Sequence, residues 1–127
     1  MNGIDPGART LANMNRPKGA TGAPAVTAVA QGATDIGLFG TASTNKGNIF
    51  HLADQAGAVD ITVNDGLVKG QTMEVTQLKG SANAATLKDS AAATIATLTP
   101  SASISSSVKL MWTGATWGVV LYGAGAT

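Results

Sequence analysis

Val108-Lys-Leu-Met-Trp-Thr-Gly-Ala-Thr-Trp-Gly-Val-Val120 reads as two alternating strands joined by a tight turn. Val108, Leu110 and Trp112 fall on one face, with Lys109 and Met111 on the other. Trp117, Val119 and Leu121 repeat the pattern on the return strand, which runs on to Tyr122. Thr113-Gly-Ala115 supplies the reversal, so the two indoles can meet on one face near the end of the hairpin. A period of two, held on both sides of a glycine turn, excludes a helix here and points to an all-β body.

The same period extends upstream. Val59, Ile61 and Val63 share a face, with Asp60, Thr62 and Asn64 on the other. Eight strands are predicted, over 34–39, 48–54, 59–64, 72–79, 84–88, 94–99, 106–113 and 116–122. Asn45-Lys-Gly47, Asn64-Asp-Gly66 and Lys79-Gly-Ser81 punctuate them with residues that close turns or accept positive φ. Short strands at this spacing predict a jelly-roll-like or Greek-key β-sandwich, although a small barrel shares the pattern and strand order is left open. Helix is the rival reading for Ala82–Leu87 and Ala91–Ala93, because alanine has the best helix propensity. These runs are short, flanked by Ser and Thr, and lack a cap followed by an apolar stripe.

Residues 1–31 differ from the body at 32–127. They hold three of the four prolines (Pro6, Pro17 and Pro24) and six large apolar residues, with no sustained period. Proline removes a ladder donor and biases its predecessor toward extended geometry, so an extended N-terminal arm is predicted.

Composition narrows the function. Alanine, glycine, serine and threonine make up 63 of 127 residues, charged residues only 12%, and the formal net charge is +1. A low net charge lets the chain collapse, but the body has just 27 apolar residues larger than alanine to build its core. The sequence has no cysteine and therefore neither a disulfide framework nor a thiolate metal site. It lacks a basic and apolar leader at its start, and its longest apolar stretch, Gly118–Ala126, is well short of the ~20 residues of a membrane helix. Eight basic and seven acidic residues form no dense basic stripe. No membrane partner and no direct nucleic-acid partner are expected.

The catalytic inventory is sparse. His51 is the sole histidine, and alternation places it with Ile49 and Ala53, which suits a plain strand histidine better than a metal ligand. Glycoside hydrolysis needs two carboxyl groups flanking a cleft. Asp54 and Asp60 are conceivable as such a pair, but Asp54 and Asp65 stand at strand ends suited to turns and Asp60 on a solvent face. The run Ser101–Ser107 has no nucleophile context and reads as a polar loop. Trp112 and Trp117 suit core or inter-subunit packing; a sugar-stacking platform is the sharper alternative, with few aromatic residues to support it. No enzyme, cofactor or metal site is expected.

From about Asn48 to Tyr122 the chain resembles a β-module common in tailed-phage structural proteins. The likeness lies in Val59-Asp-Ile-Thr-Val-Asn-Asp-Gly66, Gly70-Gln-Thr-Met-Glu-Val-Thr76, Ala93-Thr-Ile-Ala96 and, most specifically, the hairpin Val108–Val120. Such modules serve as decoration proteins, fibres and tail components, so the fold alone does not fix the role. The short chain and its arm favour a capsid decoration, or cement, protein. The resemblance then implies a homotrimer on the capsid exterior, made in the host cytoplasm, which clamps neighbouring copies of the major capsid protein against the pressure of packaged DNA. Arg9, Arg16 and Lys18, with Leu11 and Met14, are the expected partner contacts in the arm; the alternative is that the cations only keep it soluble. Trp112, Trp117 and Tyr122 are expected in the core or between subunits. The competing readings are a short fibre or tail-tip component that binds another virion protein or a glycan, and a glycan hydrolase fragment.

Overall fold

The computed structural model describes residues 25–80 and 83–127. Ten strands follow in order: β1 (Thr27–Val29), β2 (Asp35–Gly37), β3 (Asn45–Lys46), β4 (Ile49–Leu52), β5 (Val59–Val63), β6 (Thr72–Gln77), β7 (Ala85–Lys88), β8 (Thr94–Leu98), β9 (Ser106–Trp112) and β10 (Trp117–Tyr122). They form two five-stranded sheets. Sheet one has the order β1-β4-β6-β9-β10 and sheet two the order β3-β2-β5-β7-β8. All eight expected strands are present, and the described residues contain no helix. Ala91–Ala93, the rival helix, is a turn: Asp89 Oδ1 accepts from the amides of Ala91 and Ala93, and Ala92 sits at φ 67°.

The chain is an all-β sandwich, as its alternation predicts. Its strand pairing is not that of a jelly roll or Greek key, which are antiparallel, because five of the eight pairings are parallel. From β1 to β7 the chain winds between the sheets, each turn returning it one strand along, apart from β3, which follows β2 in the same sheet and pairs on its outer side. Thr27 lies beside Phe50 and Phe50 beside Val75 in sheet one; Ile36 lies beside Val63 and Ile61 beside Leu87 in sheet two. Parallel neighbours need a crossover; strands of the opposite sheet provide it for four of the five parallel pairs, and the 38–44 loop provides it for β2 and β3. The last three strands then turn back antiparallel, β8 on β7, β9 on β6 and β10 on β9.

Two strands were not expected. β3 has only two residues, and β1 falls inside the stretch assigned to the arm. Val29 in β1 is fully buried, so the sandwich takes in Thr27–Val29 and does not begin at residue 32. The rest of the proposed arm, residues 1–24, lies outside the described residues.

The core lies between the sheets. Phe50, Leu52, Met73, Val75, Val108 and Leu110 face it from sheet one, and Ile36, Ile61, Val63, Leu87 and Leu98 from sheet two. Their medium size explains how a chain with so few aromatic residues fills its interior. Hydrogen bonds tie the two sheets together along both sides. Thr27 Oγ1 donates to Lys46 O at 2.9 Å between β1 and β3. On the far side the C-terminal residues leave β10 and cover β8, where Thr97 and Thr127 exchange backbone hydrogen bonds of 2.9 and 3.0 Å.

Candidate interaction surface

The hairpin that fixes the fold class also anchors one end of the sandwich. Trp112 and Trp117 are direct cross-strand partners, with ring centroids 5.5 Å apart and planes inclined at 59°. Both are buried, and Trp117 Nε1 donates to Asn64 O at 2.8 Å. Any side chain at Gly66 would run into the Trp112 ring, which is why the Asn64-Asp-Gly66 turn must carry glycine. The tryptophans are therefore core residues, and neither offers the open ring face that a sugar platform needs.

Next to them lies a polar network that the sequence did not announce. Asp35 Oδ2 accepts from Thr44 N and Asn64 Nδ2, both at 3.1 Å; Asn64 Nδ2 also lies 2.7 Å from Ser43 Oγ, which is in turn 2.7 Å from Thr41 Oγ1. Burial opposes ionisation of Asp35, but the hydrogen bonds from Thr44 and Asn64 outweigh it and hold the carboxyl below the usual carboxylate range. The network ties the 38–44 loop to β2 and β5.

Asp60, Asp65 and Asp89 have structural roles. Asp60 pairs with Lys88 at 3.4 Å, Asp65 accepts from Ser90 Oγ at 2.9 Å, and Asp89 caps its turn. His51 stands on the outer face of sheet one, beside Ala28 and Thr76 in register. No cluster of three or more His, Cys, Asp or Glu able to hold a metal occurs among the described residues.

What stands out is apolar exposure at the β10 edge. Alternation predicts that Leu121 follows Trp117 and Val119 inward. Instead a β-bulge falls between Val119 and Leu121: Val119 pairs with Leu110, but Leu121 pairs with Lys109 in the outer row. Leu121 is 64% exposed, Val120 53% and Tyr122 50%, with Met111 on the adjacent strand also exposed. A cavity of about 160 Å³ opens beside Leu121, lined by Glu74, Ser107 and Lys109 among others. The outer face of sheet two is different in character, carrying Asp60, Thr62, Thr86, Lys88 and Thr97.

Of the residues expected to matter, Trp112, Trp117 and Tyr122 gather on the one hairpin, two in the core and Tyr122 half-exposed at the edge. Arg9, Leu11, Met14, Arg16 and Lys18 lie outside the described residues. Leu121 and Val120 are the additions, and no glycine or proline stands within Val119–Leu121 to mark the bulge that exposes them. No protein-family model, curated protein or solved structure matches this chain.

Proposed function

We propose that the protein is a capsid decoration protein of a tailed phage, which binds the major capsid protein on the virion exterior as a homotrimer and stabilises the shell. The observation that carries this reading is the uncharged β10 edge with Val120, Leu121 and Tyr122 turned to solvent. An open, apolar edge strand is an aggregation hazard in a free monomer, and an assembly that covers it removes the hazard. The resemblance of the Asn48–Tyr122 segment to phage structural modules supplies the setting, and the wound sandwich supplies a body with a packed core. Arg9, Arg16 and Lys18 of the N-terminal segment are the proposed latch on an acidic capsid surface. Three such latches on one trimer act at high effective concentration, so each contact can be modest.

Light scattering of the purified chain, followed by cosedimentation with capsids that lack it, tests this reading. A trimer that binds capsids, and a full-length variant carrying Arg9→Glu, Arg16→Glu and Lys18→Glu that stays trimeric but no longer sediments with them, is the expected result. A trimer indifferent to capsids that instead retains affinity on a glycan array overturns it in favour of a fibre or tail-tip component.

A further inference from the structure

We propose that an apolar groove beside β1 is the seat of this chain's own N-terminal segment, with Leu11 and Met14 as the side chains that fill it. The proposal needs neither the trimer nor the capsid, and its parts stand in one chain.

The groove, of about 340 Å³, runs along the outer face of sheet one and is lined by Val26, Ala28, Ala30, His51, Ala53 and Leu78 among others. Val26 and Leu78 are exposed there, as are Ala28 and Ala30. The described chain begins at residue 25, so the 24 residues that precede it depart from the groove's own wall at Val26. Read backward from Val26, residues 15–25 hold only alanine, proline and glycine besides polar residues, and the first larger apolar side chains met are Met14 and Leu11. Gly19 and Gly22 stand in that stretch, and glycine lets a chain reverse direction without steric cost.

Distance selects the occupant. The eleven residues 15–25 reach at most about 40 Å, and a tether of that length has a root-mean-square span of about 18 Å. β1, β4 and β6 are neighbours in that order, so the far wall at Leu78 lies about two strand spacings, or roughly 10 Å, from β1. Leu11 and Met14 are therefore presented to the groove at an effective concentration on the order of millimolar. A second copy or another protein has no such tether and competes from bulk solution. Charge points the same way. Strands β1, β4 and β6 carry one formal charge, that of Glu74 on the outer face, whereas residues 1–24 carry Arg9, Arg16 and Lys18 against Asp5. With Leu11 and Met14 seated, these cations stand at the rim of an uncharged groove, on the face that bears Glu74. The seat thus fixes where the proposed capsid latch leaves the body.

The absence of cysteine from the sequence makes the test direct, because Asn15→Cys gives a single site for a spin label beside Met14. In the full-length protein the amide NMR signals of Ala28, Ala30, His51 and Ala53 are expected to broaden, while those of Thr62 and Thr86 on the outer face of sheet two stay sharp. Adding Leu11→Asp and Met14→Asp is expected to abolish that contrast. Equal broadening on the two faces, or a contrast that survives the aspartates, overturns the proposal. Full broadening between separate spin-labelled and isotope-labelled copies also overturns it, in favour of a second copy's segment. Trypsin supplies a readout free of the label. Ala28 is exposed, so Ala28→Glu puts a charge in the groove without disturbing the core. Cleavage after Arg9 and Lys18 follows the population of the unseated segment, so it is expected to speed up by about tenfold or more in this variant; an unchanged rate overturns the assignment. Capsid cosedimentation run in parallel separates the two ideas. A seated segment on a chain that ignores capsids refutes decoration but leaves the seat, whereas capsid binding by a chain whose segment is unseated does the reverse.

Discussion

The winding part of the sandwich, β1 to β7, and its antiparallel end, β8 to β10, are built from the same alternating pattern yet solve different problems. In the winding part most strands find their neighbour a full turn away in sequence, and the turns must be held in phase. The 38–44 loop is held by the Asp35, Asn64 and Ser43 network, and Ala53 O accepts from both Gln55 Nε2 and Gln77 Nε2 at 2.9 and 3.1 Å. The antiparallel end is local. One hairpin with a tryptophan pair stops the winding, and the C-terminal residues return across β8. The difference teaches that side-chain polarity along a strand decides which face is buried, while the connections decide the direction of its neighbour.

If the two parts form one cooperative unit, a core deletion in either unfolds both. Phe50 is fully buried in β4, between β1 and β6, and Trp117 sits in the hairpin. Phe50→Ala and Trp117→Ala are each expected to cost about 3–5 kcal/mol, a large share of the roughly 5–15 kcal/mol of a typical domain. Urea unfolding followed by tryptophan fluorescence and by far-ultraviolet circular dichroism checks this on Phe50→Ala. Coincident transitions are expected; a fluorescence transition that persists after the circular dichroism has fallen would divide the molecule into two units at the β7–β8 junction.

Most of the strand pattern was legible in the sequence, and the reasons the rest was not are physical. Alternation at Val59–Val63 and Val108–Trp112 places side chains on faces, and the glycine turns bound the strands, so the sandwich and the meeting of Trp112 with Trp117 could be read. Parallel pairing could not, because Phe50 beside Val75 is a long-range choice that leaves the local period unchanged. β1 was hidden by the prolines and glycines before it, although Val29 reaches the core. The outward turn of Leu121 depends on a bulge at an ordinary valine, so the surface that carries the functional reading was the least visible part of the hairpin.

The Asp35 network sharpens the comparison, because it belongs to the winding part alone. Asp35→Asn keeps the shape of the side chain but removes the charge that strengthens the bonds from Thr44 and Asn64. The cost is expected to be about 1 kcal/mol, reduced from the usual value for a charged partner by partial exposure. The pH dependence has a definite sign. The carboxyl titrates lower folded than unfolded, so the unfolded chain binds more protons in that window; the stabilisation is complete above the unfolded value of about 3.9 and is lost as pH falls through the folded one. Chemical denaturation of wild type and Asp35→Asn from neutral pH down to strong acid should show their difference shrinking only on the acid side. A difference that is constant with pH would assign the effect to side-chain geometry.

The smallest effect is expected at Gln77, where the polar bonds of the winding part meet the apolar core. Gln77 is fully buried; its Nε2 donates to Ala53 O, and its Oε1 has no partner. In register it lies between Leu52 and Ser106, so an amide occupies a row otherwise suited to an apolar side chain. Gln77→Met has similar length, removes the unpartnered acceptor and leaves Ala53 O with the Gln55 bond. An unsatisfied buried acceptor costs about 1–3 kcal/mol, whereas the bond lost is worth about 1. The variant is therefore expected to be slightly more stable, by up to about 1 kcal/mol, with an unchanged urea slope. A loss of stability would mean that the Gln77 bond holds the β4–β5 connection in phase with the strand beside it, and that buried polar bonds matter more to the winding than its hydrophobic rows suggest.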